Sequence, residues 1–265
     1  MPSLILWKLI ATNILFASSV EGANRLVPEM RLVGPGKYQS FTYERPAPGK
    51  PLTSVLVKVD RFYMDAYPVT NQQFLAFVKN SPSWSGLKTF SIFADSGYLS
   101  HWTGEFTPGD KQVLGSPVSN VSWFAAQAYC KSLHKRLPSL DEWEYAARPE
   151  AYGKNRDIIQ QKILEWYSRP NDLRTPGTIP FEMDCTQDGV CGLHGYLWEW
   201  VDDFGSVIGA DDSRADTDLD KGLFCGAGAL GGMDASNYAA FMRFAFRSSL
   251  KGTFTLSHLG FRCVK

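Results

Sequence analysis

The sequence has no excess charge of either sign: 27 lysines and arginines are balanced by 27 aspartates and glutamates. A chain without a net field has no electrostatic footprint for a polyanion, so nucleic acid is not an expected partner, and a protein, a peptide or a small metabolite is. It also has no CxxC pair. The five cysteines stand at 130, 185, 191, 225 and 263, a spacing that supports neither a zinc knuckle nor a thioredoxin-like site. Beyond the first 22 residues no apolar run reaches the ~18 residues that a membrane span requires. There is no internal repeat and no composition shift that would mark a linker. With 265 residues, 44% of them hydrophobic and 14% aromatic, the chain is long enough for one large core or at most two small ones. A monomer is expected.

The N-terminal 22 residues read differently from the rest. Lys8 precedes an apolar stretch from Leu9 to Phe16, and Val20-Glu21-Gly22 stands before Ala23, the layout of a secretory signal peptide with the mature chain running from 23 to 265. The alternative is a buried N-terminal helix. Export to the periplasm or beyond would place the cysteines in an oxidising compartment, where four of five can pair and one is left over. Cys185 and Cys191 bracket a short glycine-containing loop that can close on itself.

Local signals place several elements. Residues 23 to 60 are rich in proline and glycine and end in the alternating Ser54-Val55-Leu56-Val57-Lys58-Val59, predicting turns that lead into a strand. Thr70 stands three residues before Gln73, ahead of Phe74, Phe77 and Val78, which predicts a capped amphipathic helix. Ser122 opens a second helix from Trp123 to near Leu133, and Ser139 with Glu142 opens a third that Pro149 stops. Past residue 150 one further helix, Ile158 to Tyr167, is expected and regular structure is otherwise sparse. Asp202, Asp203, Asp211, Asp212, Asp216, Asp218 and Asp220 form an acidic run without the glycine turn or distal glutamate of an EF-hand, so a solvated loop is expected there rather than a calcium loop.

Four segments in order resemble the formylglycine-generating enzyme (sulfatase-modifying factor) family. They are Phe62-Tyr63-Met64-Asp65-Ala66-Tyr67-Pro68-Val69-Thr70-Asn71; Lys135-Arg136-Leu137-Pro138-Ser139-Leu140-Asp141-Glu142-Trp143-Glu144-Tyr145-Ala146-Ala147-Arg148 with Val121-Ser122-Trp123 before it; Gly195-Tyr196-Leu197-Trp198-Glu199-Trp200-Val201; and Leu259-Gly260-Phe261-Arg262-Cys263. The resemblance implies an α+β fold related to C-type lectins, poor in regular secondary structure and, in its best-known members, binding calcium. It implies a disulfide between Cys130 and Cys263. A further family cross-link would need cysteines at Ala147 and Phe244, and neither is present.

The same resemblance locates the chemistry. Family members bind copper through two cysteines near the C-terminus and oxidise a substrate cysteine to formylglycine, because thiolate sulfur is the soft ligand that Cu(I) prefers. The matching positions here are Gly231 or Asp234 and Ala239, so copper at that pair is not expected. The nearest thiol is Cys225, which either replaces it, or is a small buried apolar residue, or pairs with Cys185 or Cys191. Trp198, Cys225, Arg243 and Arg247 are the candidate catalytic residues of the cleft. The arginines have a second reading as partners of Glu142, Glu144 or Glu199. Glu199 with the carbonyls of Gly195 and Leu197 is the candidate calcium set, although Gly192 and Tyr196 replace side-chain oxygen donors of the family; the alternative is that Glu199 pairs with an arginine. The histidines at 101, 134, 194 and 258 lack the H-x-x-x-H-x-E spacing of the related iron-dependent sulfoxide synthases and are expected to be surface or hydrogen-bonded loop residues. The expectation that results is an exported maturation or accessory factor, an oxidoreductase if it is an enzyme. A non-catalytic lectin-like binding module and an active formylglycine-generating oxidase are the alternatives.

Overall fold

The computed structural model describes residues 28–44, 53–109, 114–168, 184–204 and 235–265. Helices and short strands are mixed, as expected. Strand β1 (Met30–Val33) pairs antiparallel with β4 (Phe62–Asp65), Met30 opposite Asp65 and Val33 opposite Phe62. Between them β2 (Gly36–Glu44) and β3 (Thr53–Val59) form a second antiparallel pair whose register shifts between Gln39 and Tyr43. Strand β3 is the one its alternation predicts, with Val59 buried and Lys58 exposed. The two strands before it correct the expectation of turns alone. Gly34-Pro35 breaks the chain between β1 and β2, and the composition of that break masks the short extended runs on either side.

Capping chemistry sets the first three helices. In α1 (Asn71–Asn80) the Thr70 hydroxyl accepts from the Gln73 amide while the Gln73 side chain accepts from the Thr70 amide, and Phe74, Phe77 and Val78 face inward. Ser122 caps α2 (Trp123–Ser132) by accepting from the Ala125 amide. Ser139 and Glu142 close a second reciprocal cap on α3 (Leu140–Ala147), and Asp203 accepts from the Leu140 amide at the same end. Helix α4 (Arg156–Ser168) lies where it was expected. Helix α5 (Ala235–Ser248) does not. Its apolar spacing, Ala239, Met242 and Phe246, is helical, but Arg243 and Arg247 beside it are buried, so the usual contrast between a wet and a dry face is missing.

The last residues of the chain form its spine. Strand β5 (Trp198–Glu199) pairs in parallel with β6 (Leu259–Gly260), and a side chain at Gly260 would collide with Leu197 and the Val118 carbonyl. The Val69 amide then bonds to the Phe261 carbonyl (3.0 Å), the Asp65 amide to the Cys263 carbonyl (2.9 Å), and Val264 and Arg136 exchange both backbone bonds. Phe261 packs edge-on against Phe74 and Tyr129 in the larger core. Cys130 on α2 is bonded to Cys263, and Cys185 to Cys191.

Arg262 is fully buried and none of its donors is wasted. Nε donates to both Glu199 oxygens (3.0 and 2.9 Å), Nη2 to Glu199 Oε1 and the Cys191 carbonyl, and Nη1 to the carbonyls of Asp65 and Ala66. Trp143 Nε1 donates to Glu199 Oε2 at 2.7 Å. A second buried pair, Lys135 Nζ to Asp65 Oδ1 at 2.6 Å, lies against the same segment. Removing one partner of such a pair leaves the other charged and dry, which costs about 3–5 kcal/mol. Arg262→Met is expected to lower stability by that amount in urea denaturation, more than Arg262→Met/Glu199→Met, in which no charge is stranded. Cys130 and Cys263 are 133 residues apart, so replacing both by alanine is expected to cost about 4–5 kcal/mol by the chain-entropy estimate, read as a lower urea midpoint.

Candidate functional site

Of the candidate catalytic residues, helix α5 carries Arg243 and Arg247, while Trp198 lies on β5. Arg243 and Arg247 are four residues apart and so lie on one stripe of the helix. Phe246 lies on the neighbouring stripe, where it stacks on Trp198 with ring centroids 4.1 Å apart; Trp166 of α4 packs on the same indole at 5.2 Å. Trp198 is 5% exposed, a core residue enclosed by aromatic rings.

The two arginines meet Glu144 of α3. Arg243 Nε donates to Oε1 at 2.8 Å and its Nη2 to Oε2, while Arg247 Nη1 donates to Oε1 at 2.7 Å. Both guanidiniums lie over the Trp143 indole, 5.5 and 4.5 Å from its centroid, which adds a cation–π attraction in a desolvated place. Among the described residues the tryptophan belongs to an aromatic stack and the arginines are counter-ions of one carboxylate. Cys225, Gly231 and Asp234 lie outside the described residues. Ala239 is 1% exposed and packed into the larger core.

Glu199 does not fit a calcium site. Both its oxygens are held by the Arg262 guanidinium, and a cation that close opposes a second one. Gly195 is exposed in a turn with positive φ, and Leu197 is 2% exposed. Both readings of a carboxylate beside loop oxygens are chemically sound, and the arginine supplied by the chain end decides between them. Among the described residues no three His, Cys, Asp or Glu side chains converge as a metal site. The four described cysteines are all tied in disulfides, so none of them is a thiolate ligand for copper.

The carboxylates proposed as partners are divided among the arginines. Glu142 takes Arg136 through two contacts of 2.6 Å, Glu144 takes Arg243 and Arg247, and Glu199 takes Arg262. His194, the loop residue preceding Gly195, donates from Nε2 to the Ala147 carbonyl at 2.7 Å and lies edge-on to Trp143. With Tyr152, Trp166, Asp184 and Tyr196 it lines a cavity of about 290 Å³, where Lys162 holds the Asp184 carboxylate at 2.9 Å. A second cavity of about 480 Å³ opens beside Arg243.

These burials set an acid limit. Burial, then repulsion from Arg243, holds His194 far below the usual histidine range, at about 3. Burial raises the Glu144 carboxyl, but the two guanidiniums reverse that and hold it at about 2. In both cases the unfolded chain binds a proton before the folded one does, so stability falls as pH drops. The His194 contribution is lost from about pH 6.5 to about 3, and the Glu144 contribution from about 4.5 to about 2. The urea midpoint is expected to fall through both windows. His194→Gln is expected to flatten the upper one and Glu144→Gln the lower, the latter with a loss of about 3–5 kcal/mol at neutral pH; a midpoint independent of pH from 6.5 to 3 would contradict this account.

The chain is similar in sequence to known proteins. The formylglycine-generating enzyme of Mus musculus is 29% identical over 252 residues, which cover 78% of this chain and 67% of that protein. The inactive C-alpha-formylglycine-generating enzyme 2 of Bos taurus is 28% identical over 255 residues, covering 78% of each. The chain thus spans about two thirds of the length of the mouse enzyme. Among solved structures, the Treponema denticola variable protein 1 aligns over 89% of this chain and 94% of its own at a TM-score of 0.47 and 16% identity. The profile of the sulfatase-modifying factor enzyme 1-like domain matches residues 16–265, and the chain belongs to that family.

Proposed function

We propose that this protein is an exported maturation or accessory factor of the formylglycine-generating type that engages a protein or peptide client without thiolate–copper oxidation of a cysteine. Cysteine usage carries the reading. The chain has five cysteines, four are consumed in two disulfides, and only Cys225 is left. A copper site built on two thiolates needs a second sulfur that the sequence does not contain. A relative named as inactive stands beside one named as the formylglycine-generating enzyme at similar identity, which accords with a scaffold that outlives its chemistry. The pairing of Arg243 and Arg247 with Glu144 and the enclosure of Trp198 favour binding over catalysis at α5. Two disulfides and the N-terminal segment support an oxidising, periplasmic or extracellular location.

Two measurements test this. Titration of thiols in the denatured, non-reduced protein is expected to find a single reactive group, and two or more would undo the disulfide assignment. Copper(I)-loaded protein incubated with oxygen and a Cys-x-Pro-x-Arg peptide is expected to form no aldehyde by mass spectrometry. Formylglycine appearing in proportion to protein concentration would restore the oxidase reading.

A further inference from the structure

The cavity of about 480 Å³ beside Arg243 lies between the β2–β3 pair, α3 with the turn that follows it, and α5. Its size suits a small organic molecule, for which pockets run from roughly 300 to 1,000 Å³. Tyr38, Leu56, Leu140 and Phe244 give it apolar surface, and Leu56 is 58% exposed. Its charged lining is unequal. Lys37, Arg148, Arg156 and Arg243 face two carboxylates, Glu144 and Glu150.

The internal pairings leave a defined excess. Glu144 is shared by Arg243 and by Arg247 behind it, so its charge is more than answered. Glu150 is paired with Arg156 at 3.2 Å. The nearby Asp141 accepts the Tyr38 hydroxyl at 2.6 Å; burial, then that bond, push the phenol up, so Tyr38 stays neutral. Lys37 and Arg148 have no carboxylate partner among the described residues. Arg148 is also held in place: its guanidinium lies 3.7 Å from the centroid of the Tyr145 ring and Nη1 donates to the Tyr145 carbonyl. A fixed guanidinium fork loses little freedom on meeting a carboxylate.

We propose that this cavity is a binding site for a small organic anion, a carboxylate on an apolar or aromatic body, whose charge is met by Arg148 and Lys37 and whose body packs on Tyr38, Leu56 and Phe244. The site is independent of whether the protein oxidises cysteine. The carboxylate can belong to a free metabolite or to the C-terminus of a peptide, and the same chemistry serves both.

Calorimetric titration of the full chain tests it with 3-phenylpropionate, its neutral amide, and a short peptide ending in phenylalanine with a free or an amidated C-terminus. The free acids are expected to saturate and to bind at least about tenfold more tightly than the amides. Whichever of 3-phenylpropionate and the peptide acid binds more tightly identifies the source of the carboxylate. Lys37→Gln and Arg148→Gln are each expected to weaken the acid several-fold, to about tenfold. Leu56→Glu, at an exposed position, is expected to do the same by repulsion, and it and Lys37→Gln decide the matter if Arg148→Gln does not fold. Equal affinity for acid and amide, no saturation by about 10 mM, or unchanged affinity in Lys37→Gln and Leu56→Glu would each overturn the site.

Discussion

A guanidinium can be carried out of water only if each of its five N–H groups finds an acceptor. Arg262 meets that condition by reaching three stretches of chain at once: Glu199 on β5, the carbonyls of Asp65 and Ala66 at the end of β4, and the carbonyl of Cys191. Strands in this region are two to four residues long, and such short ladders leave carbonyls without a neighbouring strand. Arg262 supplies the donors that a longer sheet would have supplied. The buried pair is thus tied to the fold's shortage of regular structure: the loops around Ala66 and Cys191 meet through one backbone bond, from the Cys191 amide to the Ala66 carbonyl, and the Arg262 side chain bonds to both.

Glu144 applies the same logic from the opposite sign. A buried carboxylate is costly alone, and two guanidiniums on one stripe of α5 make it tolerable while pinning that helix to α3. Arginine near a family's reactive centre invites a substrate-binding role. Here Arg243 and Arg247 converge on a single carboxylate inside the protein, the pairing that was the alternative to that role. The cations left over for an external anion lie elsewhere, on β2 and just after α3.

What could be read from the sequence was mostly local. The caps at Thr70, Ser122 and Ser139 need only a side chain and the next three amides, so they appear as spelled. The pairing of Cys130 with Cys263 spans 133 residues, and no spacing rule reaches that far; it came from the family resemblance. Helix α5 was missed because its arginines are dry, which no hydropathy pattern reveals. For Glu199 the sequence posed the alternatives correctly, calcium or arginine, and could not choose, because the arginine is 63 residues away along the chain. The cavity lined by Lys37, Arg148 and Arg243 was invisible for the same reason: each residue is unremarkable until the β2–β3 pair meets α3 and α5.

Thiol chemistry and covalent stapling draw on one residue type, and the chain divides its five cysteines accordingly. The contacts that hold the scaffold are the disulfide from α2 to Cys263, the Arg262 network and the Glu144 cluster, and none of them passes through Ala239 or any free thiol. A fold whose stability is carried this way can lose a copper-binding cysteine pair without losing its packing. The proposed accessory role follows from that separability. Two disulfides, two buried arginine clusters and a charged cavity would persist when the soft ligands are gone, and only interactions built on those persisting parts are available for a new partner.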